Sequence, residues 1–518
     1  MRQKVLLHRA MQAVLALAIV ICSSVCWSSA SNASQTSSDE PLAVAEIPAE
    51  ARTLDVQFFQ EVNNEKALVA AKNPKIDSAL VALRNALKNS PAGTVTEEKM
   101  PAMNVSGDSI QVYVVTHSKR LENALEAIKR VGGKATRTGD DGSLIQAWVP
   151  LQKLEALADY GSVFFIRQPD VARTEENPIP ESATSEALSL MNATAWHSAG
   201  YTGFGIKVGI IDMGFEGYQS LLGTELPESV TVKNFVDSET GDDVNIKGGK
   251  HGTSCAEIIH DVAPDAQLYL GKVDTSLDLE AAAGWLKDTC QVDVISTSLG
   301  WFYTAPGDGT GSLADEVKQC RDAGILWFTA AGNSRLEHWS GQFSDPNANG
   351  FNNFDDDWEI NFFGPGDGEH LYLIPAARVI QIILRWDDWV NVDQDYDMGI
   401  VKWDGTKWVL VGVPGINLQN GNPSVTPRES AVTITVGDPA PYGFVIERVN
   451  ATRNVNFDAL ATVSTGQYRP NFLVTNHSLL NLADPPDAIT VAADDVSSPY
   501  PQESYSSEGP TNGPGGTP

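Results

Sequence analysis

Lys207-Val208-Gly209-Ile210-Ile211-Asp212-Met213-Gly214 is an apolar run that closes on a carboxylate, and further on Gly249-Lys250-His251-Gly252-Thr253-Ser254-Cys255-Ala256 sets a histidine among small residues. The run from Lys207 to Ile211 does not alternate, which marks a strand buried on both faces. The following pattern has one rhythm. Gly252 to His260 starts a helix, Ala266 to Leu270 reads as a strand, Leu279 to Leu286 as a helix, Val292 to Ser296 as a strand, Leu313 to Cys320 as a helix and Ile325 to Ala330 as a strand. Such alternation predicts an α/β domain, a parallel sheet with helices on both faces. In that architecture the working residues gather beyond the carboxyl ends of the strands.

Four segments sit at such ends. Asp212 can hold the tautomer of an imidazole and stabilise its cation. His251, opening a helix among small neighbours, can take and return a proton near neutral pH. Val294-Ile295-Ser296-Thr297-Ser298-Leu299-Gly300 offers edge backbone groups to an extended peptide. Thr329-Ala330-Ala331-Gly332-Asn333-Ser334 presents a side-chain amide where an oxyanion can develop. Taken singly each has an ordinary reading: a strand ending in Asp, a histidine capping a helix, a sheet turning through small residues.

Together, in this order, Asp-x-Gly, His-Gly-Thr, Ser-Leu-Gly and Ala-Ala-Gly-Asn resemble the subtilisin family of serine proteases, over about Ser185 to Asn333 and again from about Asp484. The resemblance implies Asp212 as orienting acid, His251 as general base, Ser298, Leu299 and Gly300 as substrate-binding wall, and Asn333 as oxyanion donor. Met213 departs from the small hydroxyl residue usual in the family. The family's Gly-Thr-Ser-x-Ala nucleophile segment does not occur, since the only Gly-Thr-Ser is Gly252 to Ser254, beside His251 itself. Tyr505-Ser506-Ser507-Glu508-Gly509-Pro510-Thr511 resembles the strand and turn that precede the nucleophile. The expectation is a precursor cut short before its serine and inactive by itself, with Ser506 and Ser507 excluded as nucleophiles. The alternative is a non-catalytic, protease-like binding protein.

Upstream, an alternating strand from Ile110 to Val115 leads into a helix with Leu121, Leu125, Ile128 and Val131 on one face, stopped by Gly132 and Gly133. A strand through Leu144 to Val149, a helix with Leu151, Leu154 and Leu157, and a strand from Val163 to Ile166 follow. This βαββαβ-like order resembles the ferredoxin-like α+β prodomain of subtilisin-type precursors, a folding chaperone and temporary inhibitor. Downstream, near Glu337, the rhythm breaks into turn-separated strands at Val379 to Trp386, Gly399 to Trp403, Trp408 to Val411, Ala431 to Val436 and Tyr442 to Val449. They read as an inserted β-sandwich and resemble the jelly-roll modules of secreted bacterial peptidases. The expected layout is a signal peptide at 1–33, a linker and pro-region at 34–109, the prodomain at 110–180, the first catalytic part at 185–340, the sandwich at 355–478 and an incomplete second catalytic part at 484–518.

The leader expectation rests on Arg2, Lys4 and Arg9 ahead of an apolar run from Met11 to Cys22 and small residues up to Ala30. It implies a secreted or extracytoplasmic protein, with no stable membrane insertion after leader removal. A formal net charge of −30 over 518 residues argues against nucleic acid and anionic surfaces as partners; polypeptide substrates and the chain's own prodomain are the expected ones. Of the five cysteines, Cys22 and Cys26 leave with the leader, and Cys290 and Cys320 can pair if the compartment is oxidising. No cofactor is expected for catalysis. The family resemblance makes structural calcium an option, and Asp393, Asp395 and Asp397 would share one face of a strand, although Met398 rejects an EF-hand loop. A rival metal hydrolase would use Asp212, His251 and Cys255, but no His-Glu-x-x-His or paired Cys-x-x-Cys accompanies them.

Overall fold

The structure is a computed structural model, and it describes residues 42–46, 48, 51–54, 74–88, 103–174, 187–239, 241–245, 248–366, 370–415, 417, 425–464, 467–495 and 498–517. The expected leader lies outside them. They form two compact units, one built from residues 170–335 and 476–511, the other from 36–169, 336–475 and 512–518.

In the first unit six strands lie in the order Ala488–Val491, Leu326–Ala330, Val294–Thr297, Lys207–Asp212, Gln267–Lys272 and Thr231–Asn234. Every neighbouring pair is parallel. The sheet is two-faced, as an unbroken apolar strand requires. Ile211, Ile295 and Trp327 pack with Leu279, Leu286, Leu313 and Val317 on one side; Val208, Ile210, Val294 and Phe328 pack with Ala256 and Ile259 on the other. The helices His251–Val262, Ser276–Gly284 and Ser312–Asp322, with the π-helical continuation Trp285–Cys290 that carries Leu286, supply those side chains. Gly209 is small because a Cβ there would come within 2.7 Å of Leu286 Cδ1. From Lys207–Asp212 the chain builds strands to one side, through Gln267–Lys272, and then crosses to Val294–Thr297 on the other. Asp212 thus ends the strand where the winding reverses, the place where open α/β sheets form a crevice.

The second unit holds the small α+β sheet. Ser109–Val115 pairs antiparallel with Phe165–Arg167 on one side and with Leu144–Pro150 on the other, and Lys134–Thr138 pairs beyond that. The helix Leu121–Arg130 buries Ala124, Ala127 and Ile128, and Gly132 at φ +83 turns the chain out of it. Part of the stretch read as linker and pro-region is regular: Leu42–Glu46 is a strand and Ser78–Lys88 a helix. Lys75 Nζ caps the carbonyls of Ala158, Tyr160 and Val163, and Arg84 meets Glu155 at 2.6 Å.

The same unit contains a two-sheet antiparallel sandwich. One sheet runs His338–Gln342, Asn456–Val463, Val379–Trp386, Arg428–Thr435; the other runs Trp408–Gly415, Asp395–Trp403, Tyr442–Asn450, Asn361–Gly364, Arg469–Pro470. Its core includes Ile380, Ile382, Trp386, Tyr396, Ile400, Phe444 and Phe457. The sandwich starts at His338, ahead of the boundary at 355 read from sequence, because His338–Gln342 is a short mixed strand whose partner, Asn456–Val463, lies far along the chain. Residues 512–517 also group with it, so the stretch 484–518 divides between the units. The shared acidic face does not form as expected: the strand begins at Asp395, Asp393 is an exposed residue before it, and Asp395 and Asp397 are buried. Cys290 and Cys320 are both buried free thiols rather than a disulfide. They belong to the core between the sheet and its helices.

Candidate active site

His251 Nδ1 lies 2.7 Å from Asp212 Oδ2, with the Asp212 side chain fully buried and the ring slightly exposed. The other carboxylate oxygen accepts the Met213 N–H at 2.8 Å and the Gly214 N–H at 3.4 Å. The carboxylate is held by main-chain donors that follow it in sequence. Met213 therefore contributes its amide, and the residue type expected there in the family is not needed for that bond.

Three glycines let the two elements come so close. A Cβ on Gly252 would lie 2.6 Å from Asp212 Cβ and 2.7 Å from a Phe215 ring carbon. A Cβ on Gly214 would strike the carbonyl of Gly249 at 2.6 Å, and Gly248, at φ +94, abuts the Met213 carbonyl. The Gly252 N–H donates to Gly214 O at 2.9 Å and Thr253 Oγ1 to Glu216 O at 2.9 Å, tying the first helical turn to the strand's exit loop. Lys272, opposite Asp212 on the neighbouring strand, is buried and places its Nζ 2.7 Å from both oxygens of Glu239.

Ser298, Leu299 and Gly300 leave the adjacent strand at the same end of the sheet, and Asn333 follows the strand beyond that. The loop around half-buried Asn333 is pinned by Ser507: its Oγ accepts the Ser334 N–H at 2.9 Å and its own N–H donates to Gly332 O at 2.8 Å. Leu480 packs against both Gly300 and Gly332, each of which would clash with it if it carried a Cβ.

A chain segment already lies along the wall. Arg173 and Gly300 form an antiparallel bridge, the Arg173 N–H donating to Gly300 O at 3.0 Å and the Gly300 N–H to Arg173 O at 3.4 Å. On the segment's other side Val171 bridges Thr275, and the Ala172 N–H donates to Asp274 O at 2.7 Å. Asp170 O accepts the Ser276 N–H at 2.9 Å and the Trp301 indole N–H at 3.2 Å. Residues 170–173 thus run between two backbone segments, bridged once to each, a main-chain pairing of the kind by which a sheet edge takes up polypeptide backbone.

The subtilase family model matches residues 203–357, which carry Asp212, His251, Ser298–Gly300 and Asn333. Over residues 203–357 the chain is similar to the subtilase family. Subtilisin E of Bacillus subtilis strain 168 is 26% identical over 261 residues, covering 46% of this chain and 64% of its own length. Subtilisin of Bacillus pumilus is 32% identical over 161 residues, covering 28% of this chain and 54% of its own. The chain therefore spans between about half and just under two thirds of the length of the curated relatives it matches. Among solved structures, the CspB protease of Clostridium perfringens aligns over 62% of this chain and 74% of its own, at 13% identity and a TM-score of 0.38.

Cys255 stands one helical turn beyond His251, and the ligand atoms of Asp212, His251 and Cys255 lie within 4.8 Å of one another. The bond between His251 and Asp212 uses the Nδ1 edge of the ring. Sequence reading missed the far side of the cleft, Asp274 and Thr275, and the supports Leu480 and Ser507. Asp274 and Thr275 act through main-chain groups, which leave no residue signature. Ser507 carries no sequence signal for this supporting role beyond its exclusion as a nucleophile. Among the described residues no helix is long and apolar enough to cross a membrane.

Proposed function

We propose that this chain is the precursor of a secreted subtilisin-like serine endopeptidase, hydrolysing peptide bonds with Asp212 as orienting acid and His251 as general base. The observation that carries the reading is the 2.7 Å contact from His251 Nδ1 to Asp212 Oδ2 at the reversal point of the sheet. With Nδ1–H committed to a buried carboxylate, Nε2 is the lone-pair nitrogen and can accept a proton from a serine hydroxyl; Asp212 then stabilises the imidazolium. Asn333 is assigned the developing oxyanion, and Ser298–Gly300 with Asp274 and Thr275 the substrate backbone. This chemistry calls for no cofactor. The apolar, basic-flanked stretch at 1–33 supports secretion.

These 518 residues do not themselves supply the nucleophile in this reading. Ser254 lies on the helix that His251 begins. Ser506 Oγ accepts the Ala493 N–H at 2.9 Å, Ser507 Oγ accepts the Ser334 N–H at 2.9 Å, and both side chains are buried in the loop that supports the cleft. The α+β pro-region is assigned the role of intramolecular inhibitor, supported by residues 170–173 lying in the cleft as a substrate strand would.

A fluorophosphonate probe tests the reading. The 518-residue chain should remain unlabelled, and a form extended in frame through a Gly-Thr-Ser-x-Ala segment should be labelled in a manner lost on His251→Ala. Labelling of the 518-residue chain that depends on His251 would overturn the nucleophile assignment. A properly folded extended form that neither labels nor cleaves peptides would favour a non-catalytic, peptide-binding role.

A further inference from the structure

Residues 42–54 precede the α+β sheet in sequence, yet every contact described for residues 42–46 and 52–54 is with the sandwich. Leu42–Glu46 runs antiparallel to His370–Leu373, pairing Leu42 with Leu373 and Glu46 with His370. Among the described strands these two form a sheet of their own. Farther along, the Trp408 indole N–H donates to Ala51 O at 2.8 Å, the Glu359 N–H to Arg52 O at 2.9 Å, and the Leu54 N–H to Glu359 Oε2 at 2.7 Å. Arg52 adds a 3.2 Å contact to Asp357 and lies 5.2 Å from the Trp358 ring centroid.

The receiving surface is built for a ligand of this shape. Ala51 is 0% exposed and Leu54 8%, packed with Phe351, Trp358, Phe362, Leu371, Trp403 and Trp408. Glu359 is itself fully buried, and besides Leu54 it accepts from Asn347 and Asn349, each at 2.6 Å. A buried carboxylate that takes one of its donors from a chain segment over 300 positions away loses solvation it cannot recover if that donor leaves, and a peptide N–H is the group that restores it. A strand edge at His370–Leu373, an aromatic slot around the small Ala51 side chain, and a buried carboxylate facing a main-chain amide together specify a peptide that is extended at 42–46 and turns at Ala51, whose N–H donates to Pro48 O at 2.9 Å.

We propose that the inserted sandwich carries a peptide-binding site, separate from the Asp212–His251 cleft, whose ligand is residues 42–54 of this chain bound non-covalently. The site reads a small residue at the Ala51 position, Leu three residues on, and a free N–H at that Leu. It does not depend on the protease reading, and its test does not use activity.

The probe is a fluorescent peptide of residues 40–56, titrated against the chain lacking residues 1–56. Saturable binding is expected, with a raised thermal transition of the protein. The same peptide with Nα-methyl-Leu54, or with Ala51→Trp, should bind at least tenfold more weakly, and a scrambled peptide should not bind. If the shortened chain melts cooperatively but ignores the peptide, or binds the Ala51→Trp peptide equally well, the proposal fails. If the shortened chain does not fold, a site-specific protease sequence placed between Phe58 and Lys66 of the full chain answers instead. After cutting, the N-terminal fragment should co-elute with the remainder and be released by Ala51→Trp. A wild-type fragment that separates from a still-folded remainder would equally overturn it.

Discussion

Gly252 presses against Asp212 so closely that a Cβ at 252 would lie 2.6 Å from the aspartate's own Cβ. The His251–Asp212 bond therefore depends on a missing side chain as much as on the two that are present. Gly252→Ala should force the helix start away from the strand, at a cost of about 1–3 kcal/mol for overpacking. Gly284→Ala is the internal comparison, since its Cβ would meet nothing within 4 Å and it sits in a helix; it should raise stability by about 0.5–1 kcal/mol. Chemical denaturation of both variants checks the contrast, and equal stability would remove the steric argument. In an extended, active form Gly252→Ala should also lower kcat by about a hundredfold, as a displacement near 1 Å does.

In the sandwich, burial works against the Asp458 carboxylate, yet Arg385 at 2.8 Å, His338 and Asn512 hold its carboxyl far below the usual range. A depressed carboxyl contributes stability above its unfolded pKa of about 3.9, and that stability is lost as pH falls through the folded value. Asp458→Asn removes the charge partner that Asp458 gives to buried Arg385, a loss of up to about 3–5 kcal/mol. Urea unfolding should show that deficit at pH 7 and a smaller one below pH 4. A deficit independent of pH would mean that the carboxylate charge is irrelevant.

The cysteines give a third check. Burial pushes the Cys320 thiol up to about 12 and raises that of Cys290, while Cys255 is only half-buried. In the folded chain from Ser34 onward, a disulfide reagent at pH 8 should modify Cys255 alone, and Cys255→Ser should abolish the reaction. All three thiols should react after unfolding. Rapid native labelling of Cys290 or Cys320 would show that the helix-and-sheet core opens readily in the folded chain.

The parallel sheet was legible because Lys207–Asp212, Val294–Thr297 and Leu326–Ala330 are buried on both faces and so carry unbroken apolar runs. Asp212 and His251 were legible because steric demand surrounds them with glycines and small residues in fixed order. Leu42–Glu46 and His338–Gln342 were not, since a short strand's identity comes from its partner, and the partners are His370–Leu373 and Asn456–Val463. The cleft's far side escaped for a different reason. Asp274 O and the backbone at Thr275 work through main-chain groups that any residue supplies.

The same main-chain logic yields the last prediction, on the segment that occupies the cleft. Arg173 donates its N–H to Gly300 O at 3.0 Å, and its guanidinium carbon lies 5.3 Å from the Phe302 ring centroid. Arg173→Pro removes the donor, while Ala172, already extended by its bond to Asp274 O, meets the conformational demand of the residue before a proline. One lost hydrogen bond, with the Gly300 carbonyl left unpaired, costs about 1–1.5 kcal/mol, or about five- to tenfold in affinity. Arg173→Ala keeps both backbone bonds and removes the cation–ring contact, which is worth about 0.5–1 kcal/mol at a partly exposed site. A fragment of residues 34–174, which spans the pro-region and most of the prodomain, should therefore inhibit an extended, active enzyme in trans with an inhibition constant raised more by Arg173→Pro than by Arg173→Ala. If the proline variant inhibits as well as the natural sequence, the strand at 170–173 is not what blocks the cleft, and the inhibitory contact must be sought in the α+β sheet instead.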